Sequence, residues 1–323
     1  LEAHYTGYPQ NVRKLSWASG TGSGSFLPFQ VINSNFSNQF ELHDFDLDGD
    51  LDVFYTRGYL FMIQENLGSA IFAPIDTIAP LNVVKLDFVH LNSDAYPDLT
   101  VSGSLLGQSG TSLYSLINVS GTFASPTSIP AIYGGYHLIK HSDMDDDGDQ
   151  DIIVNFSGGT YEFGTSALGW YKNNGSGVLD NFQMIDAYAM GVYDMIVADF
   201  TGDGKNDLSV TMGLSSYTND NVIAMYPYTP SGVQAPYTPI AIQADNVRSV
   251  IQSDVDSDGL TDIVVTSYSD KTVSWHKNLG NNTWGPMDII SEHATTQHNL
   301  GSYNSIAIDL DNDGDEDESD RYL

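Results

Sequence analysis

The chain of 323 residues carries 11 Lys and Arg against 42 Asp and Glu, a formal net charge of −31, and a nucleic-acid duplex or an anionic bilayer would repel it. Hydrophobic residues at 41% and aromatics at 11% exclude a disordered chain, and no apolar run approaches the roughly 18 residues of a membrane span. Cysteine is absent, which excludes disulfides, thiolate metal sites and cysteine nucleophiles together.

An aromatic-Asn-Gly half-unit opens the chain, Asn11 to Ile32, with Trp17 ahead of a Gly-Ser stretch. The first acidic run, 44–52, places Asp44, Asp46, Asp48, Asp50 and Asp52 around Gly49, and Ile63-Gln-Glu-Asn66-Leu-Gly68 follows it. A worn copy at 90–98 reads His90-Leu-Asn92-Ser-Asp94-Ala95-Tyr96-Pro-Asp98 and precedes Leu116-Ile-Asn118 with Gly121. The third run, 143–151, holds Asp143, Asp145, Asp147, Asp149 and Asp151 around Gly148, ahead of Trp170-Tyr-Lys-Asn173-Asn-Gly175. The fourth, 199–207, has Asp199, Thr201, Asp203, Lys205 and Asp207 around Gly204, with Met225-Tyr226 and Gly232 behind it. The fifth, 254–262, has Asp254, Asp256, Asp258, Leu260 and Asp262 around Gly259, then Trp275-His-Lys-Asn278-Leu-Gly280. The sixth, 309–317, has Asp309, Asp311, Asp313, Asp315 and Asp317 around Gly314.

The two motifs alternate strictly, and the acidic one returns every 46 to 56 residues. Of the 42 acids, 26 fall in the six windows, so the charge belongs to the repeat. A fixed period of this size specifies a solenoid or a propeller. Short apolar segments such as Met195-Ile-Val-Ala198 precede the loops, and β-branched runs such as Asp262-Ile-Val-Val265 follow them. The Trp segment and the one after its Gly turn supply two more strands. Four short strands per unit predict an all-β fold, a β-propeller of four-stranded blades occupying 1–323 as one domain. The terminal half-units predict six blades closed by strands from both ends, or seven if the chain belongs to a longer protein. Glu318 to Leu323 reads as a poor second strand for the last blade.

Aspartates at positions 1, 3, 5 and 9 of a tight bend, with a backbone carbonyl at position 7, form an all-oxygen donor set for a hard cation. Glycine at position 6 lets the backbone turn where a Cβ would clash. An EF-hand requires Glu at position 12, and Tyr55, Val154, Val210, Val265 and Asp320 stand there instead. These are therefore calcium loops in a strand-loop-strand setting, because carboxylates so crowded repel one another unless a cation lies among them. The expected ligand residues are those named in the four intact runs, 44–52, 143–151, 254–262 and 309–317, and in 199–207, which Thr201 weakens. The loop at His90 is expected to be empty, its His90, Asn92, Asp94 and Asp98 holding the turn by hydrogen bonds. Roughly four to five Ca²⁺ ions result, and loops of this kind bind at about 10⁻⁴–10⁻³ M, too weakly for the cytosol, so a secreted or cell-surface location is expected.

The Asp-x-Asp-x-Asp-Gly-x-x-Asp loops, β-branched strands and Trp-x-x-Asn-x-Gly segments resemble the FG-GAP/VCBS repeat propellers over about residues 11 to 317. That resemblance implies calcium-binding blades like those of integrin α-subunit heads and secreted bacterial proteins, used in adhesion or carbohydrate contact. It does not choose between binding modules and polysaccharide lyases.

Six residues before each loop stand Asn38, Val84, His137, Tyr193, Arg248 and Tyr303, at the start of each innermost strand. Asn38, His137, Tyr193, Arg248 and Tyr303 are the candidate ligand-binding residues at the ring mouth. The leading functional expectation is a binding module for a glycan or a surface protein. A second is a lyase on uronate-containing glycans, with Arg248 neutralising the carboxylate and His137 or Tyr193 moving the proton. A third is a structural spacer within a larger surface protein.

Overall fold

A computed structural model describes residues 2–6, 12–18, 25, 27–33, 40–69, 71–108, 110–130, 135–157, 166–189, 191–213, 221–229, 236–240, 247–292, 304–308 and 317–321. Among them there is no helix; every regular element is a strand. The chain divides into two compact units, 1–131 and 132–323.

The first unit begins with β1 (Glu2–Thr6), β2 (Val12–Trp17) and β3 (Gln30–Asn33), a three-stranded antiparallel sheet. Two four-stranded sheets follow. One is β4 (Phe40–His43), β5 (Asp52–Arg57), β6 (Leu60–Gln64) and β7 (Asp76–Ala79); the other is β8 (Leu81–Val89), β9 (Asp98–Leu105), β10 (Ser112–Leu116) and β11 (Thr127–Ile129). The second unit holds three more. They are β12 (Gly135–Ser142), β13 (Asp151–Ser157), β14 (Ser166–Asn173) and β15 (Leu179–Asp186); β16 (Met195–Ala198), β17 (Asp207–Gly213), β18 (Asn221–Tyr226) and β19 (Thr238–Ile240); and β20 (Val247–Ser253), β21 (Asp262–Ser267), β22 (Thr272–Asn278) and β23 (Trp284–Glu292). A hairpin of β24 (Asn304–Ile308) and β25 (Asp317–Arg321) ends it.

Each four-stranded sheet runs antiparallel in sequence order, and the loops at 44, 90, 143, 199 and 254 join its first strand to its second. The continuous apolar runs lie in the second and third strands, such as β21, buried along its whole length because a sheet covers each face. Fourth strands such as β7 and β15 are mostly exposed or half-buried, as edges are.

The core lies between consecutive sheets. Phe45, Phe54, Phe61, Leu99 and Tyr114 fill the space between the two complete sheets of the first unit. In the second unit Trp170, Met195, Leu208 and Tyr226 join its first pair of sheets, and Phe200, Ile223, Val250 and Val265 join the next. Blades of four sequential strands stacked on apolar faces constitute the β-propeller class that the repeat predicts.

The terminal half-units differ from expectation. The first contains an additional strand, β1, ahead of Asn11, and 317–321 pairs with β24 despite its acidic sequence. Backbone pairing overrides the weak strand propensity there.

Candidate metal centres and ligand face

The acidic loops share one internal scaffold. The carboxylate at position 1 accepts the backbone N–H groups of positions 5 and 6: Asp44 from Asp48 and Gly49 at 3.1 and 3.0 Å, Asp143 from Asp147 and Gly148 at 3.1 and 2.8 Å, and Asp254 from Asp258 and Gly259 at 3.0 and 2.9 Å. Asp199 does the same for Asp203 and Gly204 and also takes Gly202 N–H. Gly49, Gly148, Gly204 and Gly259 have φ between +84° and +94°, the left-handed region that glycine tolerates. Ala95 of the worn loop has no such φ; there Asn92 and Asp94 accept the N–H groups of Asp94 and Tyr96.

Position 9 holds the loop to its blade. Asp52, Asp98, Asp151, Asp207 and Asp262 are fully buried. One oxygen of each accepts the N–H of position 2, from Phe45, Leu91, Met144, Phe200 and Val255. The other accepts an N–H from the end of the third strand: Asn66, Asn118, Asn173, Tyr228 and Asn278, at 2.7–2.8 Å. Burial pushes the Asp52 carboxyl up to about 6 and that of Asp151 to about 7, against the lowering effect of those N–H donors. Asp98, Asp207 and Asp262 are raised for the same reason.

The Asn of the second motif completes the lock. Asn118 Nδ2 donates to Pro97 O at 3.1 Å in its own loop and to Phe45 O at 2.7 Å in the preceding one, while its Oδ1 accepts Gly121 N–H at 3.0 Å. Asn278 repeats this with Thr261 O, Phe200 O and Gly280 N–H. The alternation of the two motifs in sequence is thus a physical pairing: Asn118 ties its own loop to that at 44–52, and Asn278 ties its own loop to that at 199–207.

Three loops bring carboxylates together. Oxygens of Asp44, Asp46 and Asp48 lie within 4.8 Å of one another, as do those of Asp143, Asp145 and Asp151, and of Asp254, Asp256 and Asp262. Asp145 Oδ1 is buried without a hydrogen-bond partner. An all-oxygen donor set with a spare buried oxygen fits a hard divalent cation. Asp50 and Asp149, at position 7, turn aside onto Gly68 and Gly175, and Leu260 onto Gly280. Lys205 leaves its loop to pair with Asp146 of the preceding one. Asp199, Asp203 and Asp207 form no such triad, in keeping with Thr201 in place of a carboxylate. Asp309, Asp311, Asp313 and Asp315, and the side chain of Asp317, lie outside the described residues.

The sequence reading missed two cations. Lys172 Nζ sits on Asp145 and, at 2.6 Å, Asp147; Lys277 Nζ sits on Asp256 and, at 2.9 Å, Asp258. These contacts hold Asp147 and Asp258 below the usual carboxylate range and raise both lysines. The available signal was the lysine directly before the Asn in Trp-Tyr-Lys-Asn173 and Trp-His-Lys-Asn278.

At the opposite ends of the first strands, Val84, His137 and Arg248 are each the extra residue of a β-bulge, where the register skips from 83 to 85, from 136 to 138 and from 247 to 249. Bulges re-aim side chains. The Arg248 guanidinium lies 4.4 Å from the ring centre of Tyr193 and 5.7 Å from that of Tyr268, so two of the expected ligand residues meet, and Tyr268 joins them from the turn after β21. Tyr193 is 43% exposed. Asn38, Tyr303 and the side chain of His137 lie outside the described residues.

Comparison with known proteins bears on the fold. A family model described as an FG-GAP-like repeat matches residues 254–317. That match spans the fifth acidic loop through the sixth. No curated protein matches the chain. Among solved structures, a lectin of Agrocybe aegerita, described by its specific recognition of non-reducing terminal N-acetylglucosamine, superposes with a TM-score of 0.57 at 17% identity, over 87% of this chain and 76% of its own. The Tc holotoxin pore of Photorhabdus luminescens aligns at 14% identity over 86% of this chain and 13% of its own, with a TM-score of 0.43, too low to support an argument.

Proposed function

We propose that the chain is a calcium-stabilised, extracellular glycan-binding module. The observation that carries the reading is the convergence of carboxylate oxygens within 4.8 Å in three loops built on the same hydrogen-bonded scaffold. A carboxylate triad in water is self-repelling, and a divalent ion both neutralises it and ties the strand-loop-strand corner shut. Asp44, Asp46 and Asp48, Asp143, Asp145 and Asp151, and Asp254, Asp256 and Asp262 would hold it. Free Ca²⁺ at about tenfold over each dissociation constant adds roughly 1.4 kcal/mol per site. Millimolar calcium, and hence a location outside the cytosol, suits loops of this class. The fold shared with a lectin supports a sugar ligand, and the bulged, partly exposed Tyr193–Arg248–Tyr268 group is the candidate contact surface.

The test is a glycan array run in calcium and again in EDTA, with melting curves under both conditions. Calcium-dependent glycan binding and a midpoint lowered by EDTA are expected; an unchanged midpoint would sink the metal, and a silent array the glycan. The stacking of Arg248 on Tyr193 also favours a second reading, a lyase in which Arg248 holds a uronate carboxylate beside the Tyr193 hydroxyl. Absorbance of an unsaturated product from uronate polymers separates the two.

A further inference from the structure

Two lysines that reach the acidic loops from the third strands bear on how the metal would bind. Lys172 and Lys277 are the penultimate residues of the third strands of their blades, each directly before an Asn whose N–H is fixed by the ninth-position aspartate. That anchorage places both lysines over the loop of their own blade. Their ammonium groups then meet the carboxylates at positions 3 and 5, two of the expected cation ligands. All six side chains are only about a quarter to a third exposed, between 25% and 32%. In the loop at 44–52 the equivalent residue, directly before Asn66, is Glu65, and no lysine approaches Asp46 or Asp48 among the described residues.

Resting on the calcium reading above, we infer that Lys172 and Lys277 are resident counter-ions of the loops at 143–151 and 254–262, which a divalent cation must displace from Asp145 and Asp147 and from Asp256 and Asp258. An ammonium group supplies one positive charge to the place where the ion supplies two. Binding at these loops therefore exchanges one neutralising partner for another, whereas binding at 44–52 relieves repulsion that nothing else relieves. Two consequences follow. The lysine loops bind calcium more weakly than 44–52, and they keep their shape better when it is removed. The chain thus has two classes of site on one repeat, set by a residue outside the loop.

Calorimetric titration of the intact chain with CaCl₂ tests this. Two affinity classes are expected in the native chain. In the K172M/K277M pair, which retains most of the aliphatic stem, the weaker class tightens about tenfold, the scale of two partly exposed ion-pair contacts. K172R/K277R keeps the charge and titrates like the native chain, and E65K weakens the 44–52 site. In EDTA the Met pair melts below the native chain, and in saturating calcium the two coincide. A Met pair with unaltered affinities overturns the inference while leaving the calcium reading intact; a native chain that takes up no calcium overturns both. If the Met pair does not fold in either condition, E65K decides: unchanged binding at 44–52 refutes the inference, and weakened binding upholds it.

Discussion

Replacing Asn118 by Ala isolates the lock between blades from the metal. The side chain is fully buried and makes three hydrogen bonds, to Phe45 O at 2.7 Å, Pro97 O at 3.1 Å and from Gly121 N–H at 3.0 Å. At about 1 kcal/mol net per bond the loss is ~3 kcal/mol. Asn118→Asp keeps the shape but turns an oxygen toward two carbonyls, so it is expected to be at least as damaging at neutral pH. Asn278→Ala removes the same three bonds in another blade and should lose a similar amount. Urea unfolding followed by tryptophan fluorescence, in calcium and in EDTA, gives the comparison. Because these bonds go to backbone atoms, the loss should be equal in both media. A loss under about 1 kcal/mol, or a mild Asp variant, would refute the pairing of the motifs as a source of stability.

Two further outcomes are expected. Gly169→Ala brings a Cβ to 2.4 Å from Gln183 O and 2.2 Å from the Phe182 ring and should cost about 3 kcal/mol or more, whereas Gly204→Ala, open to solvent at φ +84°, should cost only about 1 kcal/mol; equal losses by thermal melting would contradict the packing of β14 against β15. His276 is fully buried with both ring nitrogens unpaired, and burial depresses it from 6.5 to about 4. The unfolded chain therefore binds the extra proton between those values, so the His276 contribution to stability falls as pH drops from about 6.5 toward 4, by ~3 kcal/mol over that window, against the opposite contribution of the raised Asp52 and Asp151 carboxyls. His276→Phe should flatten that part of the stability–pH curve, and an unchanged slope would place the titrating group elsewhere.

How much of this was legible in the sequence depends on distance along the chain. The blade, its strands and the acidic corner follow from local periodicity and from loops nine residues long. Ser253-Asp254 and Asp262-Ile263 bracket a turn that any reader of spacing recovers. The purpose of Trp-x-x-Asn-x-Gly was not recoverable, because Asn278 acts on Phe200 O, 78 residues away. The lysines were overlooked for a similar reason: a basic residue on a strand end reads as a solvated charge until the third strand is folded over the first loop. Tyr268 has no motif at all; only the register that sets Ser267 opposite Val247 brings it beside Arg248.

The hydrogen bonds also divide the labour within each loop. Both oxygens at positions 1 and 9 accept backbone N–H groups, while at position 5 one oxygen accepts the N–H of position 7 and the other faces a lysine in two loops. The worn loop at 90–98 shows the two parts separating: it lacks the carboxylate at position 1 and the glycine at position 6, yet Asp98 still accepts Leu91 and Asn118 N–H at 2.9 and 2.7 Å. Its blade keeps all four strands. The corner thus survives without the first carboxylate and the glycine, held by the ninth aspartate, the Asn of the third strand, and Asn92 and Asp94 at positions 3 and 5. A chain built this way can vary the number and strength of its ion sites blade by blade without changing its fold.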